Sequence, residues 1–268
     1  MKRKTLQWIK VLLVLVLAWS LFKIYTYYKN ERAYKNLMAT YAEERDRTLS
    51  ALATAEQGAE DAEGLSDEAR EILGAKTLVE HLHDEHPHVI ARLLIANLDM
   101  DFPVCQGEDN AFYLDHDYTG AYHPFGAVFL DKRNDKNLED ENSVLYGHNV
   151  ESGAVFHALD AYRDPAYVKE HPEMVVDTLD ARCVYEIVAV YEADAYEDYR
   201  SPSYDDAGWK EFASRISHMN LLGDETFQRG DRILTLSTCT DYDHRLVVQG
   251  RLKERIPYPS LQTNEQRD

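Results

Sequence analysis

The distribution of hydrophobic and polar residues divides this chain of 268 residues into three parts. Residues 11–22 form an uncharged apolar stretch. Residues 29–73 are rich in Ala, Glu, Arg and Leu and contain no Pro, which predicts a helical stalk. Ser66 is the predicted N-cap of a second helix that runs towards His83. After Pro87 the pattern changes to short apolar runs between turn residues, which predicts β-strands.

Eight apolar runs follow Pro87, and two helical segments interrupt them. The runs cover residues 89–96, 100–106, 126–131, 143–148, 174–177, 183–191, 233–239 and 246–252. The helical segments cover about 153–163 and about 205–222, the second with Trp209, Phe212, Ile216 and Met219 at three- and four-residue spacing. Short strands in this number predict a mainly β fold with added helices, a barrel or a sandwich.

The N-terminal segment predicts export to the cell surface. The first ten residues include four basic residues and no acidic residue, and the apolar stretch follows them. Because basic residues stay on the cytoplasmic side, residues 1–28 are predicted to be a cytoplasmic tail and a single-pass anchor in the plasma membrane, with the rest of the chain outside. A cleaved signal peptide ending near Ala18-Trp19-Ser20 is the alternative, and it exports the same part.

The predicted organisation therefore has four parts. They are the tail and anchor (1–28), a helical stalk with the N-terminal helices (29–86), the β-rich domain (87–256) and a polar C-terminal tail (257–268).

Composition excludes two classes of protein. The chain has 48 Asp and Glu against 29 Lys and Arg, a formal charge of −19, and a nucleic-acid-binding protein would need a basic surface. Hydrophobic residues make up 44% and aromatic residues 11%, which is too apolar for an acidic disordered chain. The exported part is therefore predicted to be a folded, acidic domain that does not bind nucleic acid.

One of the three cysteines has the surroundings of a nucleophile. Cys239 ends a predicted strand, and Arg245 begins the next one after a short turn. A neighbouring cation favours the thiolate and can donate a hydrogen bond to an oxyanion. His148 also ends a predicted strand, where it can transfer protons for a thiol. The plainer interpretation is a small buried cysteine and a surface arginine.

The other cysteines and a group of histidines have plainer interpretations. Cys105 and Cys183 fall in two predicted strands and are interpreted as buried free thiols, with a disulfide between them as the alternative. Four histidines between residues 81 and 88 surround a predicted helix end without metal-site spacing, so they are interpreted as solvated and no metal is predicted.

The motifs together resemble one known family. TLSTCT stands at 235–240 and RLVV follows at 245–248, while LYGHN stands upstream at 145–149. FPV at 102–104, QG at 106–107, DN at 109–110, FYL at 112–114 and GAVFLD at 126–131 also match. These segments are similar to successive stretches of class B sortases, over about residues 87–255. The resemblance implies an eight-stranded sortase β-barrel with N-terminal helices and a helix between strands six and seven.

The resemblance also implies a reaction and its site. It implies a cysteine transpeptidase in which Cys239 attacks the carbonyl after a threonine in a C-terminal sorting signal and forms a thioacyl-enzyme. His148 would transfer protons and Arg245 would stabilise the oxyanion. Asn110, Ser237 and Thr240 match positions associated with substrate binding, and no cofactor is implied.

The implied partners are surface proteins that carry a sorting signal and an amine acceptor from a peptidoglycan precursor or a pilin. The alternatives are a pilin polymerase or a hydrolytic cysteine peptidase with the same triad, and, from another class, a non-catalytic surface-binding module.

Overall fold

The computed structural model describes residues 2–57, 66–194, 197–223, 226–239 and 244–258. The chain forms two compact units, residues 1–43 and 44–268. The first unit is the N-terminal part of helix α1 (Lys2–Gln57). The segment Thr5–Leu52 of helix α1 is long and apolar enough to cross a membrane, and the large apolar side chains between residues 11 and 22 are exposed. An apolar helix with exposed side chains fits a membrane anchor.

The second unit begins with the end of α1 and contains helix α2 (Asp67–Glu85). The Ser66 hydroxyl oxygen accepts a hydrogen bond from the Ala69 N–H at 3.2 Å, so the predicted N-cap is confirmed. One face of α2 is buried, including Leu78 and Leu82, and this helix packs against the first strand of the barrel.

The main body of the second unit is a closed β-barrel. Its strands are β1 (Val89–Ile95), β2 (Met100–Cys105), β3 (Val128–Leu130), β4 (Asn142–Val150), β5 (Ala154–Val155), β6 (Glu173–Thr178), β7 (Ala181–Asp194), β8 (Ile233–Cys239) and β9 (His244–Pro257). Eight of them follow the order β3-β2-β1-β6-β7-β9-β8-β4, and pairing of β3 with β4 closes the ring. The two-residue β5 pairs only with β4 among the described residues. The predicted eight-stranded, mainly β fold is confirmed.

The connections between strands carry two three-residue 3-10 helices (Ala96–Leu98 and Phe112–Leu114) and three longer helical elements. The longer elements are a 3-10 helix (Phe156–Arg163), α3 (Pro165–Glu170) and α4 (Asp206–Met219). Helix α4 lies between β7 and β8, where the periodicity predicted it, and begins at the capping residue Asp205. Its residues Trp209, Phe212 and Ile216 are buried in a cluster that includes Tyr199. This cluster attaches the β7–β8 connection to the barrel.

Ion pairs around the buried Asp177 of β6 join this strand to β1 and β7. Arg92 of β1 donates from Nε to Asp101 at 2.7 Å and from Nη1 to Asp177 at 3.4 Å. Arg182 of β7 donates to the same Asp177 at 2.7 Å and to Glu71 of α2 at 2.7 Å. A buried charge is tolerated when it is paired, so these contacts account for charged residues inside strands.

Cys105 and Cys183 are free and buried, as the sequence favoured. Burial raises the pKa of both thiols. A buried thiol with a raised pKa is a poor nucleophile, so neither has the properties of a reactive cysteine.

Candidate active site

The site lies where β4 and β8 run side by side. The two strands are parallel, and the register pairs Tyr146 with Ser237 and His148 with Cys239. Paired strands lie about 4.8 Å apart, so the backbones of His148 and Cys239 are immediate neighbours. The side chain of Cys239 lies outside the described part of the chain, as does the whole of Thr240. The ladder thus brings together two residues that are far apart in the sequence.

Strand β9 brings Arg245 next to the end of β8. Its Nη1 atom donates to the Thr238 carbonyl oxygen at 3.4 Å, one residue before Cys239. The Thr238 hydroxyl oxygen accepts a hydrogen bond from the Leu246 N–H at 2.9 Å and so fixes the start of β9. The Nε atom of Arg245 is buried and has no hydrogen-bond partner among the described residues. A buried N–H of this kind can donate to a ligand oxygen.

His148 is half-buried and held by the connection between β2 and β3. Its Nε2 atom lies 2.8 Å from the carbonyl oxygen of Leu114. A carbonyl oxygen only accepts hydrogen bonds, so a hydrogen bond in this contact has to be donated by Nε2.

Asn110 is part of a polar network that includes Lys132 and Asp131. Its Oδ1 atom accepts from the Lys132 N–H at 2.8 Å, and its side chain also bonds to Asp131. Asp131 is fully buried and accepts from the Tyr146 hydroxyl at 2.9 Å and from Arg133.

Burial raises the pKa of the Asp131 carboxyl group. Hydrogen bonds from Arg133, Tyr146 and Asn110 outweigh that effect and lower the pKa to about 2. This network supports β4 two residues before His148.

The side chain of Ser237 is hydrogen-bonded to another side chain. Its side chain is buried, and its hydroxyl lies 2.8 Å from the hydroxyl of Tyr199. Tyr199 comes from the β7–β8 connection, outside the helical segment that the sequence predicted there. Sequence reasoning therefore missed Tyr199. The repeated tyrosines of this segment, including Tyr204, were the available signal, because several large aromatic side chains indicate that a connection is packed against the protein.

The described residues include one group with the geometry of metal ligands. Glu44, His81 and Glu85 place their ligand atoms within 4.8 Å of one another, on helices α1 and α2. His83, from the same run of histidines, instead bonds through Nδ1 to the Val89 carbonyl oxygen at 2.7 Å. Neither arrangement includes a residue of the β4–β8 site.

Comparison with known proteins gives the family. A family model described as the sortase domain matches residues 93–253. The chain belongs to the sortase family. Sortase B of Listeria monocytogenes is 31% identical over 172 residues, which cover 61% of this chain and 69% of the relative. The residues matched by the family model include both strand ends of the site and the connection that contains Leu114.

Solved structures agree with this assignment. The Staphylococcus aureus sortase B–substrate complex has a TM-score of 0.68 at 21% identity, covering 81% of this chain and 96% of that one, which bears on the fold. A Streptococcus pyogenes class B sortase involved in pilus biogenesis has a TM-score of 0.59 at 28% identity, with coverage of 65% and 97%. The chain is thus a class B sortase, a sortase-type cysteine transpeptidase, and the interpretation as a non-catalytic binding module is not supported.

Proposed function

We propose that this sortase cleaves a C-terminal sorting signal after threonine and transfers the upstream protein to an amine of peptidoglycan. The observation that carries the proposal is the pairing of His148 with Cys239 in the β4–β8 ladder, with Arg245 at the adjacent strand end. The three residues are assigned the roles of acid and base, nucleophile and oxyanion donor.

The reaction proceeds in two halves. In the first, the deprotonated sulfur of Cys239 bonds to the carbonyl carbon of the threonine, and the peptide C–N bond to the next residue breaks as protonated His148 gives its proton to the leaving amine. In the second, the acceptor amine attacks the thioester, His148 takes its proton, and the Cys239 thiolate leaves. In both halves the Nε and Nη1 atoms of Arg245 can donate to the oxyanion.

The proposed substrates are proteins exposed at the outer face of the membrane. The apolar N-terminal helix would anchor the enzyme, and the basic residues before it would keep that end in the cytoplasm. The catalytic barrel would then lie outside, where sorting signals and cell-wall precursors are available. Asn110, Ser237 and Thr240 are retained as proposed substrate-binding positions, with Ser237 available only if its contact with Tyr199 opens.

A pilin amine is the second candidate acceptor. It is favoured by the Streptococcus pyogenes relative, whose description connects it with pilus biogenesis. Both acceptors present a primary amine to the same thioester, so the first half of the reaction is unchanged. Pure hydrolysis, with water in place of the amine, would be the peptidase alternative.

The experiment uses the full chain in mild detergent with a panel of threonine-containing sorting peptides and a primary amine. We expect ligated product to replace hydrolysed product as amine is added, and Cys239→Ala to abolish both. Cys105→Ala is the matched control, because that thiol is buried, and it should retain activity. Processing by Cys239→Ala at the native rate would contradict the mechanism. Hydrolysed product alone at saturating amine would contradict the transpeptidase assignment.

A further inference from the structure

The contact between His148 and the Leu114 carbonyl oxygen spans a long distance in the sequence. The two residues are 34 positions apart, and their atoms lie 2.8 Å apart. The carbonyl belongs to the last residue of a 3-10 helix (Phe112–Leu114) in the β2–β3 connection. A backbone atom outside the His, Cys and Arg positions therefore touches the proposed acid and base.

This contact determines which imidazole nitrogen is available for chemistry. In a neutral imidazole one nitrogen carries hydrogen and the other accepts, and the partner of one nitrogen sets the state of the other. An acceptor at Nε2 holds the hydrogen there and leaves the Nδ1 lone pair free to take a proton. After protonation, Nδ1 is also the nitrogen that returns it.

Several hydrogen bonds fix the position of the Leu114 carbonyl. The carboxylate of Asp109 accepts from the Ala111 N–H at 2.8 Å and the Phe112 N–H at 2.9 Å, which holds the start of the 3-10 helix. The carbonyl oxygen of Tyr113 accepts from the Ala127 N–H at 3.0 Å. These bonds tie the short helix to its own loop and to the start of β3.

Gly126 leaves the space that this arrangement needs. Its φ angle is +62°, in the region that favours glycine. A Cβ atom at Gly126 would overlap the Tyr113 carbonyl oxygen and would lie only 2.8 Å from the Leu114 carbonyl oxygen. Both neighbours are backbone atoms, which cannot rotate away, so the helix itself would have to move.

We propose that the Leu114 carbonyl is a positioning group that holds His148 as the Nε2–H tautomer, and that Gly126 is required because it leaves room for this carbonyl. The inference rests on the proposed role of His148 as acid and base. It adds that a backbone carbonyl group determines which nitrogen of the His148 ring takes part in the reaction.

Gly120 provides a matched control. It lies in the same connection with a φ angle of +84°, but a Cβ atom there would have no atom within 4 Å. Alanine therefore introduces comparable backbone strain at both glycines, and only Gly126→Ala displaces the carbonyl. Gly126→Ala should lose more stability because of the overlap, but a loss of stability alone does not change the tautomer of His148 in the folded protein. A change in the His148 ring should therefore occur in Gly126→Ala and not in Gly120→Ala.

The test measures the tautomer directly. The full chain is labelled with 15N-histidine, and long-range proton–nitrogen spectra are recorded in detergent at a pH where the ring is neutral, with His148 assigned by its loss in His148→Gln. We expect hydrogen on Nε2 in the native protein and in Gly120→Ala. In Gly126→Ala we expect a mixture of tautomers and transpeptidation reduced by about 100-fold, the scale of a small misplacement of a reacting group.

Two results would overturn the proposal. One is hydrogen on Nδ1 in the native protein, and the other is a native tautomer and rate in Gly126→Ala. If Gly126→Ala does not fold, Asp109→Ala loosens the same 3-10 helix and should give the same spectral change. Full activity of His148→Gln would instead overturn the proposed catalytic role, which separates the two failures.

Discussion

Two arginine environments in the same barrel differ in how completely their hydrogen bonds are satisfied. Arg182 donates to Asp177 and to Glu71 at 2.7 Å each, and Arg92 shares Asp177. Arg245 donates over 3.4 Å to the Thr238 carbonyl oxygen, and its buried Nε atom has no partner within the part of the chain that is described. The first environment is closed by carboxylates, and the second keeps donors available for a ligand.

The difference indicates what each environment contributes. A buried, fully paired charge cluster becomes costly as soon as one partner is lost, so it affects the free energy of unfolding. A donor held beside a nucleophile acts only when a substrate oxygen arrives, so it affects the rate. The two regions should therefore separate stability from activity when they are changed one at a time.

The largest expected effect follows from removing the shared carboxylate. Asp177→Asn leaves Arg92 and Arg182 buried without their common partner, and we expect the free energy of unfolding to fall by about 3–5 kcal/mol. Urea titration of the full chain in detergent measures it. Glu173→Gln is the control on the same strand: Glu173 pairs with Lys253 at the surface, and its loss should leave stability unchanged. Equal losses of unfolding free energy in the two variants would contradict a special role of the buried pairs around Asp177.

The next effect concerns the guanidinium group of Arg245. Arg245→Gln should reduce transpeptidation by about 100- to 1,000-fold, the typical loss for one oxyanion donor, with unchanged stability. Arg255→Gln is the matched control. Arg255 lies on the same strand, and its buried Nε atom likewise has no hydrogen-bond partner among the described residues. In the strand register Arg255 lies opposite Cys183 of β7, away from Cys239 and His148. Similar losses of rate in both variants would contradict a specific role for Arg245.

A smaller effect depends on pH. The folded pKa of Asp131 is about 2, below its unfolded value of about 3.9. The native state thus binds fewer protons, and the ionised carboxylate contributes about 2–3 kcal/mol that is present above about pH 4 and lost as pH falls towards 2. Asp131→Asn should flatten this part of the curve of unfolding free energy against pH. If the free energy of unfolding of the variant fell with pH as steeply as that of the native protein, other carboxylates would be the cause of the loss of stability in acid.

The smallest effect concerns the contact that closes Ser237. Tyr199→Phe removes one hydroxyl from a buried pair at 2.8 Å, and we expect a loss of about 1 kcal/mol in the free energy of unfolding. A double-mutant cycle with Ser237→Ala isolates this bond. A coupling energy near zero would mean that the two hydroxyls do not depend on each other.

The strands could be predicted because the barrel needs short apolar runs between turns. All eight predicted runs contain observed strands, and the periodicity of Trp209, Phe212 and Ile216 predicted α4. The two-residue β5 and the helix α3 were missed because elements this short contain too few residues for a period. The predicted domain boundaries at residues 28, 86 and 256 stay predictions.

The site could be predicted only in part. Strand ends and residue types indicated Cys239 and His148, and the register pairs their backbones. The Leu114 carbonyl could not be predicted, because every residue has a carbonyl and only the fold selects one. The pairing of Arg92 with Asp101 and Asp177 could not be predicted either. Tertiary contacts of this kind leave no local pattern.

The most direct test of the central claim is the mass of the covalent intermediate. The full chain is mixed with a threonine-containing sorting peptide without amine, quenched in acid and digested for mass spectrometry. We predict an acyl group, ending in threonine, on the peptide that contains Cys239, and its disappearance when a primary amine is added. Product formation without any adduct, or an adduct on Cys105 or Cys183, would contradict the account.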